Sequence, residues 1–323
     1  MKDFDFRAAE TTEDALAQAG ADTAYLAGGT TLVDLMKLQV MTPRQVIDIN
    51  ALPLRSVRTG DDGLRIGALE RMAAVAGHPQ VREWYPVISQ ALLASASQQI
   101  RNMASMGGNL LQRTRCGYFR DVSAPCNKRE PGSGCAAIDG VHRAHAVLGT
   151  SDSCVATHPS DLAVALVALD ASVELRSTDG PRTVPLADFY REPGSTPERE
   201  NELRPGELVT EIVVPALPWA ARSTYLKIRD RSSYEFALSS AAVALDLKGD
   251  SVAGARIAVG GTGTKPWRLP AVEEALTGRP ATRETYEQAA ERATEGMRTL
   301  PGNRFKPTLV RRTLVRALLS LGD

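Results

Sequence analysis

The stretch AYLAGGTTLVDLMK, residues 24 to 37, changes character in its middle: an apolar run ends at a double glycine, and beyond Thr30 and Thr31 the apolar residues recur at helical spacing. A strand is expected to end at Gly28 and Gly29 and a helix to begin within the threonines. Backbone amides at a helix start have no partner inside the helix and attract an anion, and glycines let a pyrophosphate come close to them. A tight turn with a threonine N-cap accounts for the same residues without any ligand. The spacing is not G-x-G-x-x-G, so a Rossmann site is not indicated.

On either side of this stretch lie a helical segment near Thr12 to Ala19 and a strand QVIDI at 45 to 49, which together give a β-α-β pattern. After the polar turn from Thr59 to Gly63 come a strand LRIGA, a helix near Met72 to Ala76 and a longer helical stretch from Tyr85 to Met103. That stretch breaks in SQQIRNMASMGGNLL, residues 97 to 111, where Ser105, Met106, Gly107, Gly108 and Asn109 form a second turn suited to an anion. A glycine C-cap with Asn109 closing the turn is the ligand-free account. Two such turns suit a diphosphate.

Further on, the polar loop from 191 to 207 reads as surface, and LVTEIVVP alternates as a strand ending at Pro215. A boundary is expected near residue 220. Beyond it STYLKIRD, SSAAVALDL and ARIAVGG read as an antiparallel sheet, and TLVRRTLVRALLSL as a terminal helix. With 323 residues, two or three packed subdomains are expected. The 38 basic and 38 acidic residues balance with no block of one sign, which disfavours nucleic acid as a partner. The N-terminus lacks the basic start and apolar core of a signal peptide, and LAVALVAL at 162 to 169 is too short to span a bilayer.

Taken in order, LAGGTTLVDLMK, IGALERMAAV, SQQIRNMASMGGNLL, HPSDLAVALVALDASVEL, PGELVTEIVVP, YLKIRDRSSYEFALSSAAVAL and ARIAVGGTGTKPWRLPAVEEAL resemble the FAD-binding medium subunit of molybdenum hydroxylases, the family of xanthine dehydrogenases, carbon monoxide dehydrogenases and aldehyde oxidoreductases. The resemblance implies an α+β fold: a vanillyl-alcohol-oxidase-type FAD domain of two α/β subdomains, at 1 to 57 and 58 to 220, then a small C-terminal α/β domain at 221 to 323. It puts the FAD pyrophosphate over Leu26, Ala27, Gly28, Gly29, Thr30, Thr31 and Leu32, with Ser105, Gly108 and Asn109 beside it. Asp161 falls at the family's flavin-contacting aspartate, and Lys227 near the flavin ring. From the residues alone, Asp161 is an N-cap and Lys227 a solvated strand residue.

All four cysteines, Cys116, Cys126, Cys135 and Cys154, fall within an insertion at about 113 to 156 that most of the family lacks. In this the chain is most similar to the flavin subunits of bacterial periplasmic aldehyde oxidoreductases, and more distantly to those of hydroxybenzoyl-coenzyme A reductases. That likeness implies a [4Fe-4S] cluster on the four thiols. The spacing C-x9-C-x8-C-x18-C is neither a compact ferredoxin run nor paired zinc knuckles, and by itself leaves cluster, zinc and two disulfides open. His142 and His145 raise zinc as an idea, although such a pair is more often structural. Arg113, Arg115, Arg120, Lys128 and Arg129 either offset an anionic cluster or form a solvated basic loop.

The function implied is an oxidoreductase subunit in which FAD takes electrons from a molybdenum cofactor on a large partner, through a small [2Fe-2S] subunit, and passes them to an external acceptor. The alternatives are a hydroxybenzoyl-coenzyme A reductase subunit with reversed flow and a non-catalytic nucleotide-binding scaffold. No membrane span is expected, and the compartment is either the periplasm, reached by co-export with a signal-bearing partner, or the cytoplasm.

Overall fold

The computed structural model describes residues 1 to 322 and contains three sheets. The first is parallel and three-stranded, β1 (Asp5–Ala8), β2 (Thr23–Leu26) and β3 (Gln45–Asp48) in the order β1-β3-β2. The crossover from β2 to β3 carries helix Leu32–Lys37, so the opening stretch is the strand, turn and helix its period requires. Ala15, Leu16, Ile47 and Ile49 form the small core beneath this sheet.

The second sheet is antiparallel, built from β4 (Val57–Gly60), β5 (Gly63–Gly67), β6 (Ser172–Ser177), β7 (Gly180–Pro185) and β8 (Leu208–Pro215) in the order β4-β5-β8-β6-β7. Its core takes in helices Met72–Gly77, Pro86–Ala94, Met106–Leu110 and Asp161–Ala168. The sequence between β5 and β6 therefore holds the second glycine turn and the cysteines.

The third sheet is also antiparallel, β9 (Ser223–Ile228), β10 (Ser239–Lys248), β11 (Ser251–Gly260) and β12 (Trp267–Arg268), in the order β12-β11-β10-β9. Alternation along β10 sends Ala241, Val243 and Leu245 to a core closed by helices Pro270–Leu276, Arg283–Ala290 and Lys306–Leu319. Ala242 and Ala244 face the other way, into the core of the middle sheet. Helix Asp161–Ala168 lies between the two, and all eight of its residues are buried, as a helix apolar on every side requires. Small residues allow the close approach: a Cβ on Gly260 would stand 2.4 Å from Val164 Cγ2.

The long helix expected from Tyr85 to Met103 is two helices, Pro86–Ala94 and Gln98–Met103. Ser95 ends the first, Ala96 takes φ +48°, and Ser97 caps the second by accepting from Ile100 N. Two serines around a short residue compete with the helix for backbone hydrogen bonds. Among the described residues no helix is long and apolar enough to cross a membrane.

Candidate functional site

The two glycine turns pack against each other. A Cβ on Gly28 would lie 2.0 Å from the Met103 carbonyl oxygen, so glycine is required there by the neighbouring backbone itself. Gly29 takes φ +71° and admits the tight turn into helix Leu32–Lys37. Arg71 ties the turns together, donating to the Met103 carbonyl and, at 2.9 Å, to Asn50 Oδ1. Asn50 in turn donates to the Ala27 carbonyl at 2.9 Å. Neither Arg71 nor Asn50 was expected from sequence, since the partners that give them this role, Met103 and Ala27, are distant in the chain.

The expected caps are distributed differently. Thr31 precedes its helix without any side-chain cap bond, and in the second turn Ser105 is the cap, accepting from Gly108 N at 3.2 Å. Leu32, Thr30 and Thr31 share a cleft of about 450 Å³ with Ala27, Gly28, Gly29, Ser105 and Gly108. Thr30, Thr31 and Gly108 also line a second cleft of about 560 Å³ that runs past Ser95, Ala96 and Asn109 to Asp161 and Lys227. Each volume lies within the range of about 300–1,000 Å³ usual for small-molecule and cofactor sites, and the shared residues join the two into one elongated cleft. Leu26 ends β2 just outside this lining.

At the far end, Lys227 is not a solvated strand residue: its Nζ donates to Asp161 Oδ2 at 2.7 Å, with the side chains 4 % and 6 % exposed. Tyr225 Oη donates to Asp161 Oδ1 at 2.6 Å, and Ser95 Oγ to Oδ2 at 3.1 Å. Burial, then the Asp161 carboxylate, push the Tyr225 hydroxyl well above its ordinary range. Nor is Asp161 the N-cap. Ser160 takes that place, accepting from Ala163 N at 3.0 Å and donating to Asn109 Oδ1 at 2.6 Å, which frees the aspartate for Lys227. Ser95 and Tyr225 went unexpected because their partner Asp161 is remote in the chain, and Ser160 because the neighbouring Asp161 is an equally good cap by residue type.

The insertion brings the four cysteines to one small cavity, walled also by Tyr118, Phe119 and Lys128. All four are free. Cys126 and Cys135 face each other across an isolated antiparallel bridge, and the loop between them closes on Asn127 Oδ1, which accepts from Gly132 N and Gly134 N. Both glycines take positive φ, which this turn requires. Burial raises the Cys116 thiol above its ordinary value and pushes Cys154 up to about 11, with the Lys128 ammonium opposing the shift at Cys154. Among the described residues no group of three or more His, Cys, Asp or Glu side chains is placed to hold a single metal ion. A tetrahedral zinc would draw its sulfurs to roughly 3.8 Å apart, given Zn–S bonds of about 2.3 Å. His142 does not join the thiols; its Nε2 accepts from Gly302 N at 2.9 Å. His145 Nε2 lies 3.2 Å from Cys116 Sγ.

The basic residues of the insertion are engaged rather than solvated. Arg115 and Arg120 both reach Asp34 on the helix after the first glycine turn, at 3.2 and 2.7 Å. Arg113 and Lys128 share Glu200, at 2.6 and 2.9 Å, and Arg129 donates to the carbonyls of Tyr118, Phe119 and Ala124. Arg115 Nε is buried without a partner, on the wall of the second cleft.

Paired glycine turns opening on a cleft that ends at a buried lysine–aspartate pair, on an α+β scaffold, define a nucleotide-cofactor protein. Residues 2–217 match the family described as FAD binding domain in molybdopterin dehydrogenase, and residues 224–321 match the CO dehydrogenase flavoprotein C-terminal domain. The chain belongs to this family of oxidoreductase subunits and carries its FAD-binding domain. It is 47 % identical over 323 residues, 98 % of each chain, to the aldehyde oxidoreductase FAD-binding subunit PaoB of Escherichia coli K12. It is 28 % identical to the glyceraldehyde dehydrogenase medium chain of Sulfolobus acidocaldarius, over 98 % of this chain and 95 % of that one. Among solved structures, a chain of the carbon monoxide dehydrogenase from Hydrogenophaga pseudoflava lacking the Mo-pyranopterin moiety of its cofactor superposes with TM-score 0.76 at 26 % identity, covering 99 % of this chain and 97 % of that one.

Proposed function

We propose that this chain is the FAD- and [4Fe-4S]-carrying electron-transfer subunit of a molybdenum-dependent aldehyde oxidoreductase. The observation that carries the redox reading is the gathering of four free thiols, spread from residue 116 to 154, around one cavity beside the cofactor cleft. A cubane takes one thiolate per iron, so its ligands surround a shared volume instead of meeting at a point. The aldehyde substrate class follows from the 47 % identical relative.

In this reading the FAD pyrophosphate is held by the backbone from Leu26 to Leu32 and by Ser105, Gly108 and Asn109. The flavin ring then lies toward Asp161 and Lys227, where the salt bridge fixes the ammonium and Tyr225 and Ser95 fix the carboxylate. The unpartnered Nε of Arg115 offers a further donor to an anionic cofactor. Bound FAD supplies the junction between single-electron centres and acceptors that take one or two electrons. The chain's own residues would hold that ring in the cleft and give it a route to the thiols, since Arg115 and Asp161 also line the cavity reached by Cys116. Substrate oxidation takes place on a large molybdenum-cofactor subunit, with a small [2Fe-2S] subunit between them.

The test is anaerobic purification of the complex with both partners, followed by measurement of flavin, iron, sulfide and molybdenum. The expected result is one FAD with about four irons beyond those of the [2Fe-2S] centres, and flavin absorbance bleached by an aromatic aldehyde. Bleaching by aromatic acyl thioesters alone would reassign the complex to the reductases, and a colourless protein would leave a scaffold.

A further inference from the structure

Three features that the cofactor reading does not use stand out: the buried ammonium of Lys306, the exposed aromatics Tyr234 and Phe236, and the ring of His145 against Cys116. Lys306 Nζ is spoken for by the carbonyls of Ala144, at 3.0 Å, and Gly261, at 2.6 Å. The aromatics wall the cleft already described. His145 does something neither of these does.

Its ring is buried, and Nδ1 has no polar partner, so among the described residues Cys116 Sγ is the ring's hydrogen-bonding neighbour. A neutral imidazole has one donor and one acceptor nitrogen, and a thiolate only accepts. When Cys116 is a thiolate, Nε2 therefore carries the proton and points it at sulfur. The backbone that bears the ring is clamped on both sides. His145 N donates to His142 O at 3.0 Å, Ala146 N to Val155 O at 2.9 Å, and Lys306 Nζ holds Ala144 O. Asn303 Nδ2, itself fully buried, donates to the carbonyls of His145 and Ala146, each at 3.4 Å. Four separate anchors on three consecutive residues hold the backbone from which the imidazole extends toward Cys116.

We propose that His145 is a positioning residue that raises the reduction potential of the iron–sulfur cluster held by Cys116, through an Nε2–H bond to the Cys116 sulfur. The inference rests on the cluster reading above. Reduction adds one electron, and part of the added negative charge falls on the ligand sulfurs, so a fixed donor stabilises the reduced state more than the oxidised one. A donor to an ionised acceptor is about twice as strong as a neutral pair. His145 reaches one of the four cysteine sulfurs; Cys154 Sγ accepts instead from a backbone donor, Ala156 N, at 3.4 Å.

The experiment uses the complete complex, purified anaerobically, with iron and sulfide counted before any potential is measured. An EPR-monitored redox titration is expected to give a lower midpoint potential for His145→Leu than for the unmodified protein at unchanged iron content. His145→Gln, which keeps an N–H of similar reach, should fall between. Pulsed EPR of the reduced unmodified complex carrying 15N-labelled histidine is expected to show a weak histidine coupling that His145→Gln lacks. An unshifted midpoint in His145→Leu at full iron, or no histidine coupling in the unmodified complex, overturns the proposal. If His145→Leu fails to assemble, the labelling experiment decides alone. An unmodified complex without the extra irons refutes the cluster reading itself, a result distinguishable from an unshifted potential.

Discussion

The ammonium of Lys227 sits 2.7 Å from the carboxylate of Asp161, and water reaches almost nothing of either side chain. The two come from different domains, β9 and the helix Asp161–Ala168, so one ion pair fastens the C-terminal sheet to the core of the FAD-binding portion. Removing one partner strands a buried charge. Asp161→Ala is expected to cost about 3–5 kcal/mol in urea unfolding, and the double variant Asp161→Asn with Lys227→Met less than the sum of its singles. Strict additivity would mean that the pair is not coupled.

Gly28 and Gly29 should respond differently to the same methyl group. Gly28→Ala puts a carbon on the Met103 carbonyl and forces the two turns apart, at about 1–3 kcal/mol and with loss of flavin. Gly29→Ala meets only Val33 and Leu26 side chains, at 3.2 and 3.3 Å, but strains a residue at φ +71°, at about 1–2 kcal/mol. Flavin absorbance per protein, measured with the urea midpoint for each variant, checks both. Full flavin retention in Gly28→Ala would show that the contact between the turns does not shape the cofactor seat.

Asp34 gives a pH signature. The Arg120 guanidinium, bonded to its carboxylate, holds it below the ordinary value of 3.8. The folded protein thus binds this proton less readily than the unfolded chain does, and the stabilisation is present above 3.8 and disappears as pH falls through the lower folded value. Asp34→Asn should be less stable than the parent at neutral pH, and the gap should close in acid. A gap constant from pH 7 to pH 3 would contradict this. Because the carboxylate is partly exposed, the effect should also shrink in high salt.

Each of Cys116→Ser, Cys126→Ser, Cys135→Ser and Cys154→Ser is expected to lose the same iron and the same EPR signal, about four irons per complex. Two disulfides would instead give two pairs of matching phenotypes with iron unchanged. Metal analysis of the four variants side by side separates these patterns.

The C-terminal sheet could be read from sequence because strict alternation, with Ala242 and Ala244 on one face and Val243 and Leu245 on the other, leaves few choices. The glycine turns could be read because a change of period surrounds them. By contrast β1 was not anticipated: its residues Asp5–Ala8 are exposed throughout, so no apolar face marks them. The hairpin of β6 and β7 was passed over for the apolar helix before it. In the site, Lys227 looked solvated because its partner stands 66 residues earlier, and Asp161 looked like a cap because Ser160, one residue before it, does that work. Charge burial is a property of tertiary neighbours, and local pattern carries no record of it.

Asp34 stands on the helix that follows the first glycine turn, yet its two cationic partners, Arg115 and Arg120, flank Cys116. A single carboxylate thus couples the helix beside the first glycine turn to the loop that carries the thiols. Anything that loosens this loop would loosen that helix with it, so flavin retention should report on the state of a loop that lies outside both glycine turns.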